Sequence, residues 1–375
     1  MLKYLKKTKN KLENFLYPEK ISAKKILSSK EYAEVFEANW HQVYDRTTSE
    51  RENPISYGSL EIDLESKLVS DFPPLGVLEL DEGYIFGKYG WIVGKNNILL
   101  PEHSWYGESI KEITIPRRWP VTSHLSGVCL SLASEWSAVN HGHFLLDSLS
   151  RIHLFLEAGF SFDDIDYIYC PTPKGSLSIA IELFKKLSIP LEKCILERGK
   201  GLYADKVIAT SFPGVRRNYP DWVISFFHEI NDYKQVTPNR RLYISRKNYS
   251  RKVENEDTLL PWLYQNNFEV YNPEAVGANA LKDFAEASVV IGATGAGLAN
   301  LVFCQPGTKV LELIPSDHVH SYFCSLSQAA KLQYGYLAGH STGRREPSLT
   351  GPSPYDFLID EDEFHDALSK TLSLP

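Results

Sequence analysis

Two hydrophobic textures divide the chain. Between residues 55 and 125, short apolar runs alternate with Gly, Pro and aromatic residues, as in LGVLELDEGYIFGKYGWIVGKNNILL. That alternation predicts a small β-rich region. From about residue 140 the pattern changes to helix and strand. HGHFLLDSLSRIHLFLEAG spaces its apolar residues at helical intervals and predicts an amphipathic helix ending at Gly159. DYIYCP, KCILERG and DKVIATS predict strands, and SLSIAIELFKKLSI predicts a helix between the first two. This alternation implies a mostly parallel sheet covered by helices. PGVRRNYPDWVISFFHEINDYKQVTPNRR carries Pro213, Gly214, Pro220 and Pro238 and reads as a hinge with a helix inside it. Beyond it RLYISR, FEVYNP, SVVIGA and KVLELI predict strands, and ENEDTLLPWLYQN, NALKDFAEA and GLANLVFC predict the intervening helices. That is a second, doubly wound domain of about 100 residues. DEDEFHDALSKTL predicts a closing helix.

The 375 residues suffice for two domains of ordinary size. A formal net charge of −7 argues against a general nucleic-acid binder. The charge is uneven, because residues 1–30 hold nine lysines against Glu13 and Glu19. Their leucines and Phe15 fall at roughly helical spacing with lysines on the other faces, which suits an anionic membrane surface or a solvated terminal helix. No continuous apolar signal core is visible, and no run of some 18 apolar residues predicts a membrane span. The five scattered cysteines, with no CxxC pair, suggest free thiols in a reducing cytoplasm and argue against a zinc site.

Three stretches carry candidate chemistry. In SVVIGATGAGLANLVFCQPGTKVLELIP, Gly292, Gly295 and Gly297 give GxxGxG after a late strand, so the GxGxxG dinucleotide fingerprint fails. A strand, glycine loop and helix still place backbone N–H groups where phosphate is favoured, and Gly295 and Gly297 permit close backbone approach. Glu312, on the next strand, suits either ribose hydroxyls or a strand-end ion pair. In YISRKNYSRKVENED, Arg246 ends a strand and Arg251 precedes a helix opening near Asn255. Two guanidinium groups there suit a pyrophosphate, although a lone basic loop is ordinarily surface charge. In NHGHFLLDSLSR, His143, Asp147 and Arg151 share one helix face at spacings of four. Asp147 could orient His143 as a general base, and the plainer alternative is an exposed ion-pair stripe. His141 and His143 are possible metal ligands, but no third ligand is evident nearby.

Together these stretches resemble glycosyltransferase family 61 over roughly residues 135–315. Asn140, His143, Asp147 and Arg151 match its helix motif, Arg246, Arg251, Asn255 and Glu256 its strand-loop motif, and Gly295, Ala296, Gly297, Leu298 and Asn300 its glycine-loop motif. The resemblance implies a GT-B α/β architecture of two Rossmann-like domains: a basic N-terminal segment at 1–54, an acceptor domain at 55–225 and a donor domain at 226–375. It implies inverting, metal-independent sugar transfer from a nucleotide-sugar donor, with a UDP-sugar favoured as co-substrate, to a glycan or glycolipid acceptor. On this reading His143 or Asp147 is the base. Arg246, Arg251 and the loop Thr294–Gly297 hold the diphosphate, Asn255 or Glu256 touches the donor, and Asn140, His141 and Arg151 line the cleft. Where the family often has a histidine before Gly-Ala-Gly, this chain has Thr294, which can donate to phosphate but carries no charge. A cytoplasmic enzyme of capsule or lipopolysaccharide synthesis, peripheral on the inner membrane, fits this context. A polysaccharide pyruvyl transferase using phosphoenolpyruvate, and a non-catalytic nucleotide- or sugar-binding protein, are the alternatives.

Overall fold

The computed structural model describes residues 20–104, 119–199, 201–231, 236–272, 279–342 and 355–375. The predicted basic amphipathic helix, residues 1–17 of the N-terminal segment, therefore lies wholly outside the described residues. Within the remainder of that segment a helix spans Ser29–Phe36, opened by a capping box between Ser28 and Glu31. No helix among the described residues is long and apolar enough to cross a membrane.

The described chain groups into two compact units. One comprises the residues up to Thr47, Pro73–Lys174 and Ser188–Pro213; the other comprises Thr48–Phe72, Gly175–Leu187 and Gly214–Pro375.

The first unit is built on a nine-stranded sheet. Its main strands are β1 (Leu75–Phe86), β2 (Trp91–Gly94), β3 (Ile98–Leu100), β4 (Ser123–Ser131), β5 (Tyr167–Tyr169), β6 (Cys194–Ile195) and β7 (Gly201–Thr210). The sequence predicts a mostly parallel sheet apart from the β-rich region; the structure instead joins the two. β6, β5, β4 and β7 lie parallel, and β7 then pairs antiparallel with β1 from Gly201↔Phe86 to Thr210↔Val77. Connector length explains the mixture. Single turns at Gly87–Tyr89 and Lys95–Asn97 link β1, β2 and β3 and allow only antiparallel neighbours, whereas parallel pairing needs a long crossover. The four parallel strands follow the order 3-2-1-4, the first half of a dinucleotide-fold sheet, which puts a switch point between β4 and β7. Leu78, Leu80, Ile85, Cys129 and Val207 form much of its fully or nearly fully buried core.

The second unit carries β8 (Arg240–Ile244), β9 (Glu269–Tyr271), β10 (Ala287–Ala293), β11 (Lys309–Pro315) and β12 (Gln333–Ser341), all parallel, in the order β9-β8-β10-β11-β12. This is 2-1-3-4-5, the flavodoxin-like doubly wound order, with its switch point between β8 and β10. The predicted strand and helix alternation is present, and β12 extends it by one strand that the hydrophobic pattern did not mark. Ile55–Tyr57, expected with the first β-rich region, pairs with β12 instead. GLANLVFC is not an α-helix but a tight 3-10 run, Ala296–Phe303. The Asn300 side chain donates to the Gly297 carbonyl at 3.0 Å, competing for an acceptor that an α-helix would give to its own backbone. Tyr243, Leu259, Leu263, Ile291, Leu311 and Phe364 belong to the core of this unit.

Candidate functional site

In the second unit, the residues singled out from sequence gather where the strand order reverses. Arg246 follows β8, and its Nε and Nη2 donate to the Ser250 carbonyl at 3.1 and 2.8 Å. Its guanidinium lies 5.7 Å from the centre of the Tyr249 ring. Gly295 follows β10 across the same crevice. Its backbone is extended, so no unusual dihedral requires glycine. The Arg246 guanidinium lies directly against it, where a Cβ at Gly295 would displace that flexible side-chain end. Strand order thus sets a guanidinium against the glycine loop, at the place where doubly wound sheets bind ligands.

Arg251 sits beside them in a left-handed conformation, at φ 62°. Its Nε is buried without a hydrogen-bond partner. Burial, then the neighbouring charges of Arg246 and Arg217, bring its pKa down to about 9, so it stays charged at neutral pH. Two histidines from the segment after β11 complete the group. The rings of His318 and His320 stand nearly perpendicular, 4.4 Å apart. Burial first, and then the surrounding arginines, hold His318 down to about 3 and His320 down to about 2. Both imidazoles are neutral, and Arg217 Nη1 contacts the ring nitrogens of His320.

Glu312 is the carboxyl beside this group, and it is fully buried on β11. Tyr334 donates to its Oε2 at 2.6 Å, and Oε1 is buried without a partner. Burial raises it to about 7, against the lowering effects of Tyr334, Thr294 and Arg251. The sequence allows Glu312 to reach ribose; the structure places it under the loop, with the Thr294 hydroxyl turned toward it. Thr294 is itself buried, and its N–H donates to the Leu313 carbonyl at 2.9 Å. Asn255 and Glu256, expected to touch a donor, are committed internally. Asn255 exchanges hydrogen bonds with the Ile359 backbone at 2.8 and 3.1 Å. Glu256 is buried and accepts from Tyr243 at 3.1 Å and Ser245 at 2.9 Å. Ala296 and Gly297 remain half-buried on the loop, while Asn300 is fully buried beneath it. Three contributors escaped the sequence reading: Arg217, His318 and His320. The signal for the histidines was PSDHVHSY, immediately after a strand end of a doubly wound sheet, and for Arg217 the paired arginines of PGVRRNYP.

In the first unit, the second constellation stands on a helical run that opens at His141–His143, widens into a π-helical stretch at Phe144–Leu149 and continues as Arg151–Glu157. Asn140 caps it, its Oδ1 accepting from the N–H groups of Gly142 and His143 at 2.9 and 3.3 Å. The predicted amphipathic face is absent here, because every residue of Phe144–Leu149 is buried. His143 Nδ1 lies 2.5 Å from Asp147 Oδ2, with Asp147 fully buried and the His143 side chain 18% exposed. The carboxylate therefore fixes the imidazole through one nitrogen, and His143 is the member of the pair that solvent reaches. His141, two residues before His143, is half-buried. Among the described residues, no three His, Cys, Asp or Glu side chains are grouped so as to hold a metal ion.

Arg151, placed in a cleft by the sequence, is fully buried. Its guanidinium spans the switch point of the first sheet, donating to the carbonyls of Ser131 (3.3 Å), Ala133 (3.0 Å) and Thr210 (2.6 Å) and to the Thr210 hydroxyl (2.8 Å). Burial brings it down to about 9, still charged at neutral pH. Where the second sheet leaves its crevice to a cationic group, the first sheet fills its own with an arginine.

Residues 141–311 match the family model described as Glycosyltransferase 61. A 54-residue stretch is 50% identical to a beta-1,2-xylosyltransferase of Oryza sativa subsp. japonica, covering 14% of this chain and 10% of that protein. The chain thus spans about a tenth of the length of that curated relative.

Proposed function

From the glycosyltransferase 61 segment at residues 141–311, we propose that this chain is an inverting, metal-independent glycosyltransferase. It moves a sugar from a nucleotide donor, a UDP-sugar, to a hydroxyl of a glycan or glycolipid acceptor. The observation that carries this reading is the guanidinium group at the switch point of the second sheet, where Arg246 lies against the Gly295 loop with the charge of Arg251 close by. Such a group suits the charge that develops on a departing diphosphate.

The chemistry has two halves. His143 accepts the proton of the acceptor hydroxyl at Nε2 while Asp147 holds Nδ1 and stabilises the imidazolium that forms. The acceptor oxygen bonds to the anomeric carbon as the bond from that carbon to the diphosphate oxygen breaks, inverting the centre. The electron pair leaves on the nucleoside diphosphate, held by Arg246, Arg251 and the N–H groups of Gly295, Ala296 and Gly297, since the Thr294 N–H is already spent on the Leu313 carbonyl. The first unit takes the acceptor role and the second the donor role. The GT-B description belongs to the same reading, supported by the 2-1-3-4-5 parallel order of the second unit and by the four parallel strands within the mixed sheet of the first. The nine lysines of residues 1–30 support capsule or lipopolysaccharide synthesis at an anionic inner-membrane surface, which co-sedimentation with anionic vesicles tests.

The experiment is a donor panel. Incubated with a glycan acceptor and UDP-, GDP- or CMP-sugars in the presence of EDTA, the protein should release free nucleotide from one class, a UDP-sugar. Release from none of them, with binding of phosphoenolpyruvate instead, would replace this reading by pyruvyl transfer.

A further inference from the structure

The backbone that carries Arg217 is strained, and the strain has no evident structural use. Val215 and Asn218 close a two-residue turn, with Val215 N–H to Asn218 O at 3.0 Å and the return bond at 2.9 Å. Both central residues, Arg216 and Arg217, stand in the left-handed region at φ 49° and 68°. Turns of this kind select Asn-Gly or Gly-Gly, because a Cβ is disfavoured at both positions. Two adjacent arginines are among the less suitable occupants. The turn persists because its foot is held: Asn218 is buried and donates to the Lys67 carbonyl at 2.9 Å and the Ser70 hydroxyl at 2.6 Å, and it accepts from the Ser321 hydroxyl at 3.0 Å.

The two arginines meet different surroundings. Arg216 is exposed, and Arg217 is half-buried. Arg217 reaches the neutral ring of His320, beside His318, and its charge acts on Arg251. Among the described residues it pairs with no carboxylate. A third guanidinium brought into a partly buried group of like charge, on a strained backbone, opposes stability on two counts. Such an arrangement is expected where an anion compensates it.

Accordingly, we infer that the Val215–Asn218 turn is a strained presenter that delivers Arg217, braced by His320, as a third cationic contact for the diphosphate of the donor. This rests on the phosphate-site reading proposed above. It adds a binding residue from outside the three sequence motifs, and bracing histidines from beyond the family-matched segment.

Strain and binding separate by substitution. Arg217→Gly relaxes the turn while removing the guanidinium; Arg216→Gly relaxes the turn and leaves the guanidinium in place. Calorimetric titration with UDP and with inorganic pyrophosphate should show Arg217→Gly binding about 10- to 100-fold more weakly, with a melting temperature no lower than that of the wild type. Arg216→Gly should melt higher and bind as the wild type does. If Arg246→Ala loses pyrophosphate but Arg217→Gly binds it normally, the presenter role is overturned and the phosphate site stands. If the wild type binds neither pyrophosphate nor UDP, both fall.

Discussion

Replacing His143 with alanine should lower kcat by about 100-fold or more while UDP affinity stays near that of the wild type, with some loss of stability because the buried Asp147 carboxylate loses its imidazole partner. The expectation follows from where the pair sits. The imidazole is tied to the fully buried Asp147 through Nδ1, and Asn140 fixes the helix start beneath it. The position is therefore pre-organised before any acceptor arrives. Removing the ring removes the proton acceptor but none of the cationic side chains gathered in the second unit, so the loss should appear in kcat and leave donor binding intact. Asp147→Asn should follow the same direction, because the amide cannot balance an imidazolium. Steady-state kinetics on a donor and acceptor pair measure this. An alanine variant with normal turnover would remove His143 from the base role.

Replacing Arg151 with alanine should cost about 3–5 kcal/mol of folding stability, the range seen when one partner of a buried charged network is removed. Four acceptors on Ser131, Ala133 and Thr210 lose this donor, and a fully buried side chain of large volume leaves a cavity. These contacts tie the ends of β4 and β7 together at the switch point, so the effect should spread through the first sheet. Urea unfolding reads it as a lower midpoint at similar slope. A loss below about 1 kcal/mol would mean that the carbonyls find other donors without cost. His143→Ala and Arg151→Ala, eight positions apart on one helical run, should thus differ in kind: the first loses kcat with donor binding kept, the second loses stability.

Much of this was legible in the chain. Strands β8, β10 and β11 and their glycine loop followed from apolar runs bounded by turn residues, which is a local signal. Strand ends also pointed to Arg246 without knowledge of the fold, since a basic residue after such a strand sits where doubly wound sheets bind ligands. What escaped was long-range. Ile55–Tyr57 joins a strand almost 280 positions later, and no local pattern encodes such a pairing. The shared face of His143, Asp147 and Arg151 was correctly spaced, but spacing does not separate an exposed stripe from burial. The apolar FLLDSL run was the clue, because a helix buried all round draws its polar residues inside. Asn255 and Glu256 show the converse. Both lie in a motif that resembles a donor site, yet their side chains hold Ile359, Tyr243 and Ser245. Motif membership marks a residue as constrained and leaves open whether the constraint is a ligand or the fold. His318 and His320 came together with Arg217 only through tertiary structure, as they lie about 100 positions from it.

The most direct measurement is calorimetric titration of UDP into the wild-type protein and into Arg246→Ala, in EDTA. The account predicts saturable binding to the wild type, weakened by about 10- to 100-fold in the variant, because the guanidinium seated on Gly295 grips the diphosphate. Equal UDP affinity in the two proteins, or phosphoenolpyruvate binding where UDP does not bind, would contradict it.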